Sequence, residues 1–349
     1  MQLRLHAFDL PLAHTFTISR ESISSQPTLI VELMQDGVSG FGEATSNKYY
    51  GFTVERMAGD LVGLQPQLEA ARLEDPAALW SQCQPLLADD PFALCALDQA
   101  AHDLWGKLAR EPVWKLWGLS IEKIPLSNYT IGIDTIDKMI VKMAEFADWP
   151  IFKIKLGTDH DVEIIRELRE HTVATFRVDA NCGWTADKTI EIAPQLEALG
   201  VEFIEQPLRA DRLDDMQRVG AQCALPVIAD ESCITESDVA KCHQAGFRGI
   251  NIKLVKCGGL TPARRMIAEA RRLGLKVMVG CMTESSVGIS AIAQLLPLLD
   301  YVDMDGAVLL AHDVASGVRL QRGRCVYPQA PGNGVSLLGA GRDPLTGKP

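Results

Sequence analysis

Three acids and three lysines sit at positions where together they can move a proton to and from a carbon acid. Asp179 ends the run Phe-Arg-Val-Asp, Glu205 ends Val-Glu-Phe-Ile-Glu and Asp230 ends Val-Ile-Ala-Asp. Each run is strand-like and closes on one acid. In parallel strands whose C-terminal ends share a face, the three carboxylates point into one pocket. They can coexist there only if protons or a cation neutralise them. An all-oxygen donor set with no His or Cys favours Mg2+. A lone strand-end acid ordinarily caps the following helix, but that does not account for three in register.

Lys153-Ile154-Lys155 ends another strand, and the two-residue period puts both lysines on one face. Each ammonium disfavours charge on the other, so Lys153 is expected to lower the pKa of Lys155 and free it as a base. Lys253, in Asn251-Ile252-Lys253-Leu254, ends a strand further on. A single lysine is ordinarily solvated or snorkelling; a pair facing each other across an acid trio is not. The α-proton of a carboxylate is weakly acidic because the enolate carries two negative charges. A cation on the carboxylate and a base on each face allow removal from one side and return from the other. Lys256 reads as a loop or helix-start residue with no catalytic part.

Those positions need a scaffold. From about residue 124, short apolar strands alternate with amphipathic helices: 129–133, 152–156, 176–178, 203–204, 227–229, 249–254, 276–279 and 301–302. The steps Lys155–Asp179, Asp179–Glu205, Glu205–Asp230 and Asp230–Lys253 are 24, 26, 25 and 23 residues. That suits one strand, one helix and two loops. The spacing predicts an α/β fold, a modified (β/α) TIM-type barrel lacking a long eighth helix, with strands two and six diametrically opposed. An open doubly wound sheet shares the alternation. Residues 1–123 read as an α+β capping domain, with strands over 1–19 and 28–34 and a hairpin signal at Asp36-Gly37. Helices are predicted over 54–69, 76–88 and 91–109, the last with Asp90 as N-cap and Pro91 at its first position. The barrel is placed at 124–311, and 312–349 is expected to pack back on the cap.

Composition excludes some partners. The 349 residues are 47% hydrophobic with a net charge of −11, which argues against nucleic acid or an anionic membrane surface. The nine cysteines are scattered, without a C-x-x-C pair, so a disulfide framework and a zinc knuckle are not expected. The longest apolar stretch, 287–299, is broken by Ser290, Gln294 and Pro297. A cytoplasmic, small-molecule enzyme is expected, with a homo-oligomer as the default.

The stretches Phe-Lys-Ile-Lys-Leu-Gly (152–157), Val-Asp-Ala-Asn-Cys-Gly-Trp (178–184), Ile-Glu-Gln-Pro-Leu (204–208), Ala-Asp-Glu-Ser (229–232) and Asn-Ile-Lys-Leu-Val-Lys-Cys-Gly-Gly-Leu (251–260) resemble the enolase superfamily in its muconate-lactonising subgroup. Ala-Leu-Asp-Gln-Ala-Ala-His-Asp-Leu-Trp-Gly-Lys (96–107) resembles the helix before that family's barrel, so the likeness runs through nearly the whole chain. The resemblance implies Asp179, Glu205 and Asp230 as Mg2+ ligands. It implies Lys155 acting on the (S) epimer, Lys253 on the (R) epimer and Lys153 supporting Lys155. Within the subgroup, Asp303-Met304-Asp305 is similar to the dipeptide epimerases, where the pair binds the substrate ammonium. Taken alone, that motif reads as an Asp- and Gly-rich turn. Cys281-Met282-Thr283-Glu284 also resembles that group.

The resemblance makes a dipeptide the expected substrate, L-Ala-D/L-Glu first, in cell-wall peptide metabolism. Loops near 16–26 and 46–52 are expected to contact its side chain. Arg20 is a candidate partner for a glutamate carboxylate or an ordinary surface Arg, and Tyr49 and Tyr50 can shape the pocket. The alternatives on the same scaffold are N-acylamino acid racemase, o-succinylbenzoate synthase and muconate cycloisomerase, none of which needs a cation site at 303–305. A Schiff-base aldolase would leave the acids without a purpose, and a non-catalytic barrel is the remaining rival.

Overall fold

The computed structural model describes residues 1–18 and 21–348. The chain opens with a three-stranded antiparallel sheet, β1 (Gln2–Thr17), β2 (Ser22–Gln35) and β3 (Val38–Thr45). Asp36 and Gly37 form the β2–β3 turn, both with positive φ (54° and 76°), as a two-residue hairpin requires. The helix Pro91–Ala109 lies across this sheet. Asp90 caps it by accepting the Ala93 N–H at 2.8 Å, an interaction worth about 1 kcal/mol. Gly40 and Gly42 permit the close approach of β3, since a Cβ at either would overlap the helix backbone. The helical stretch expected over 54–69 is two helices, Val54–Val62 and Gln65–Ala70, separated where Pro66 restarts the chain.

The eight following strands are parallel and neighbour one another in chain order: β4 (Tyr129–Ile131), β5 (Ile151–Lys155), β6 (Thr175–Asp179), β7 (Val201–Glu205), β8 (Val227–Ala229), β9 (Gly249–Ile252), β10 (Lys276–Gly280) and β11 (Tyr301–Asp303). A parallel bridge between Ser127 and Val302 joins the two ends of the sheet. Ser127 Oγ adds a hydrogen bond from the Met304 N–H at 3.0 Å. Helices follow the first seven strands, whereas β11 leads only into a 3-10 turn, Gly306–Leu309. The fold is therefore an α+β cap on a modified (β/α) barrel, as the strand spacing predicts.

Register explains how the site is built. Lys155 pairs with Asp179 across β5–β6, and Asp179 with Glu205 across β6–β7, so the three stand at one level. Further back on β6, β7, β8, β10 and β11, the same inward face carries the layer beneath the site. There Phe203, Ile228 and Met278 pack with Tyr301, and Arg177 lies over the Phe203 and Tyr301 rings. Phe203, Ile228, Met278 and Arg177 are buried in this layer, and the cleft above it is lined in part by the cap. The stretch 287–299 lies largely buried between barrel and cap, and among the described residues no helix is long and apolar enough to cross a membrane. Past the barrel the chain returns to the cap, where Arg342 exchanges two main-chain hydrogen bonds with Ala7 at 2.7 and 3.1 Å.

Candidate active site

The strand ends bring Asp179, Glu205 and Asp230 together as expected: one carboxylate oxygen from each lies within 4.8 Å of the others, and all three residues are buried. Lysines surround them. Lys155 donates to Asp179 at 2.7 Å, Lys153 lies 3.1 Å from Asp179 and 2.8 Å from Glu205, and Lys253 lies 2.8 Å from Asp230. Burial alone would raise all the carboxyl pKa values. Lys155 and Lys153 nevertheless hold Asp179, and Lys253 and Lys256 hold Asp230, well below the usual carboxylate range. Glu205 goes the other way, pushed up to about 7 by burial and the Asp179 charge.

The residues fit a hard divalent cation. Glu205 Oε2 and Asp230 Oδ2 are buried and accept no hydrogen bond, although an ammonium nitrogen stands 2.8 Å from each. Such oxygens are costly to bury unless something coordinates them. Side chains from other strands hold the trio in place. Asn251 Nδ2 donates to Glu205 Oε1 at 2.8 Å, and Gln206 Oε1 accepts the Asp230 and Ser232 N–H groups at 2.9 and 3.1 Å.

Lys153 behaves differently from the expectation that neighbouring ammoniums depress each other's pKa. Burial opposes its charge, but Asp303, Glu205 and Asp179 outweigh that and hold its pKa well above the ordinary value. The sequence shows the lysine pair and not the carboxylates that converge on it. Lys253 is likewise raised, with burial opposed chiefly by Asp230. Asp230 thus favours its ammonium form.

A cleft open to solvent has Lys155 and Lys253 on its wall with Asp303, Asp305 and Cys281. Asp303 is engaged on both oxygens, by Asn128 at 2.7 Å and Lys153 at 2.8 Å. Asp305 accepts the Thr130 N–H at 2.5 Å and lies 3.9 Å from Cys281 Sγ. No lysine or arginine reaches it among the described residues, and its carboxyl is pushed up to about 8 by burial and the charge of Asp303. Cys281 follows β10 by one residue, its thiol pKa raised by burial and by the two aspartates. From the cap, Phe16, Ile18, Ile23, Asn47, Tyr49 and Tyr50 reach the same cleft, so both expected loops contribute. Arg20 lies outside the described residues.

Sequence reasoning missed three residues. Asn251 braces Glu205 from two strands away and Gln206 braces Asp230 from the neighbouring strand, and Asn251 was within reach, since it shares the inward face of Lys253. Lys256, set aside as a helix-start residue, does lie in a short helix, Leu254–Cys257, but is fully buried against Asp230 at 2.6 Å. No strand period marks it, because the chain has already turned.

Two family descriptions match the chain: the mandelate racemase / muconate lactonizing enzyme N-terminal domain over residues 3–118, and the enolase C-terminal domain-like region over 138–340. An L-Ala-D/L-amino acid epimerase of Maribacter sp. is 58% identical over 338 residues, covering 97% of this chain and 99% of its own. An L-Ala-D/L-Glu epimerase of Bacteroides thetaiotaomicron is 41% identical over 342 residues, covering 97% and 88%. The solved, substrate-liganded L-Ala-D/L-Glu epimerase of Bacillus subtilis superposes with a TM-score of 0.92 at 26% identity, covering 97% and 99%. With strand-end acids, flanking lysines and matches over both halves in agreement, this chain belongs to the enolase superfamily, in its muconate-lactonising subgroup, and is an enzyme of the isomerase class resembling the dipeptide epimerases.

Proposed function

We propose that this enzyme is a Mg2+-dependent dipeptide epimerase that inverts the α-carbon of the C-terminal residue by two-base proton transfer, with L-Ala-D/L-Glu as its reference substrate. One observation carries the reading. Lys155 and Lys253 line one cleft from β5 and from the end of β9, each paired to a different acid of the trio, and Asp305 lies in that cleft with no lysine or arginine on it among the described residues.

In this reading Asp179, Glu205 and Asp230 hold the cation, which when bound stabilises charge on the substrate carboxylate as the α-proton departs. Lys155 takes the proton of the (S) epimer and Lys253 that of the (R) epimer. Whichever lysine did not take the proton supplies one to the opposite face. Lys153 remains an ammonium and keeps Asp179 and Asp303 in place. Asp303 and Asp305 receive the N-terminal ammonium, with Asp305 the carboxylate that gains most. Cys281 forms the wall beside them. The N-terminal alanine is supported by the names of both relatives above. Those names differ in the second residue, and Arg20 is the proposed partner of a glutamate side chain there.

The test is incubation of L-Ala-L-Glu and a panel of L-Ala-L-X dipeptides in D2O with Mg2+, followed by mass spectrometry and chiral analysis. One deuterium should appear at the C-terminal α-carbon together with the D-epimer. No exchange in any free dipeptide would end the proposal.

A further inference from the structure

Lys256 lies behind Asp230, outside the residues that line the cleft, and its side chain is 0% exposed. Its ammonium meets four oxygens: Asp230 Oδ1 at 2.6 Å, the Asp230 carbonyl at 2.5 Å, the Cys233 carbonyl at 3.0 Å and the Asn251 carbonyl at 3.4 Å. Three N–H groups are thus fully used on the turn that follows β8 and on β9. The lysine is itself held rigidly. The turn Leu254–Cys257 closes at Gly258, whose φ of 93° favours glycine and whose carbonyl accepts Trp80 Nε1 from the cap at 2.8 Å.

Asp230 is therefore constrained at every polar atom but one. Gln206 holds its N–H, Lys256 holds its carbonyl and Oδ1, and only Oδ2 is left toward Lys253 and the acid trio. We propose that Lys256 is a positioning residue for the cation site: it fixes the rotamer of Asp230 and the turn 230–233 so that Oδ2 alone is presented for coordination. This rests on the reading of the trio as a cation site. It adds a residue that touches neither substrate nor metal.

Two physical effects predict opposite signs, which makes the idea testable. If Lys256 were only a nearby positive charge, its removal would leave the site more negative and tighten cation binding. If it positions Asp230, its removal lets the carboxylate rotate, and binding loosens by about 10- to 100-fold, as for other groups that orient metal ligands. Mn2+ binding without substrate, measured by electron paramagnetic resonance on the full-length enzyme, separates them. Lys256→Met should bind Mn2+ more weakly, and Lys256→Arg, which keeps charge and donors, should recover part of the loss. At saturating metal, kcat should fall in Lys256→Met while KM for the dipeptide changes little. Should the methionine variant fail to fold, Lys256→Gln carries the same test of sign. Unchanged or tighter Mn2+ binding in a folded neutral variant overturns the inference. Absence of Mn2+ binding by the unmutated enzyme would instead overturn the cation site, and this inference with it.

Discussion

Glu43, on the cap, and Ser285, on the barrel, are joined by three hydrogen bonds: the Ser285 N–H lies 3.1 Å from each carboxylate oxygen, and the Ser285 hydroxyl donates at 2.6 Å. Gly288 N–H adds a fourth at 3.0 Å and Thr28 a fifth at 2.8 Å. A cap carboxylate thereby satisfies the free N–H groups at the start of the barrel helix Ser286–Ala293, where negative charge is also favoured by the helix dipole. The chain just before that helix carries Cys281, Met282 and Thr283 into the cleft. Cap docking and one wall of the site therefore depend on the same carboxylate.

That junction has a pH signature. Glu284 is pushed up to about 8 by burial first and by the charge of Glu43 second. An acid whose pKa is higher folded than unfolded holds its proton longer in the native state, so the native state binds more protons across that interval. Stability is then greatest below the unfolded value of about 4.5 and is lost as pH rises toward about 8, by up to about 1.4 kcal/mol per pH unit. Glu284→Gln, neutral throughout, should flatten the decline in Tm between pH 5 and 8. An unchanged slope in the variant would refute the assignment to Glu284.

Metal dependence follows from the acid trio. Exhaustive chelation should abolish α-proton exchange, and Mg2+ should restore it. Asp179→Asn or Glu205→Gln should lower kcat/KM by about 10³-fold or more, because several kcal/mol of transition-state stabilisation is lost. Full exchange in excess chelator after dialysis would show that the acids serve another purpose.

The lysines can be separated by face. Lys155→Ala and Lys253→Ala should each lose net epimerisation, while either can retain exchange at the epimer whose α-proton meets the surviving lysine. Deuterium incorporation measured separately from L-Ala-L-Glu and L-Ala-D-Glu reads this directly. Normal epimerisation by either variant would remove the two-base mechanism.

Much of this site is legible in sequence because its signals are local. Asp179, Glu205 and Lys155 each close a short strand and Asp230 follows one by a single residue, and strand period together with a spacing of about 25 residues gathers them at one end of the barrel. Contacts that depend on distant chain are not legible. Glu43 meets Ser285 across 242 residues, and Lys153 captures Asp303 across 150. Lys256 reaches back 26 residues to Asp230 from a helical turn whose direction no strand pattern shows. The same gap explains the pKa of Lys153: its neighbour Lys155 is visible in the sequence, and the carboxylates that reverse the shift are not.

Substrate class turns on how differently the two aspartates of the Asp-x-Asp motif are engaged. Asp303 already faces an ammonium, that of Lys153, and an amide, that of Asn128, whereas Asp305 has a main-chain N–H and, among the described residues, no cation. A substrate ammonium arriving there would offset the burial that raises the Asp305 pKa. Such a charge-assisted contact is worth about 1.5–3 kcal/mol, or about 10- to 150-fold in kcat/KM. L-Ala-L-Glu should therefore be turned over far better than N-acetyl-L-Ala-L-Glu or an N-succinyl amino acid. Asp305→Asn should narrow that preference chiefly by harming the free dipeptide. Asp303→Asn should in addition disturb Lys153, and so lower kcat for every substrate. Equal turnover of free and N-acylated substrates by the unmutated enzyme would move the assignment to the N-acylamino acid racemases, leaving the acid trio and the two lysines in their proposed roles.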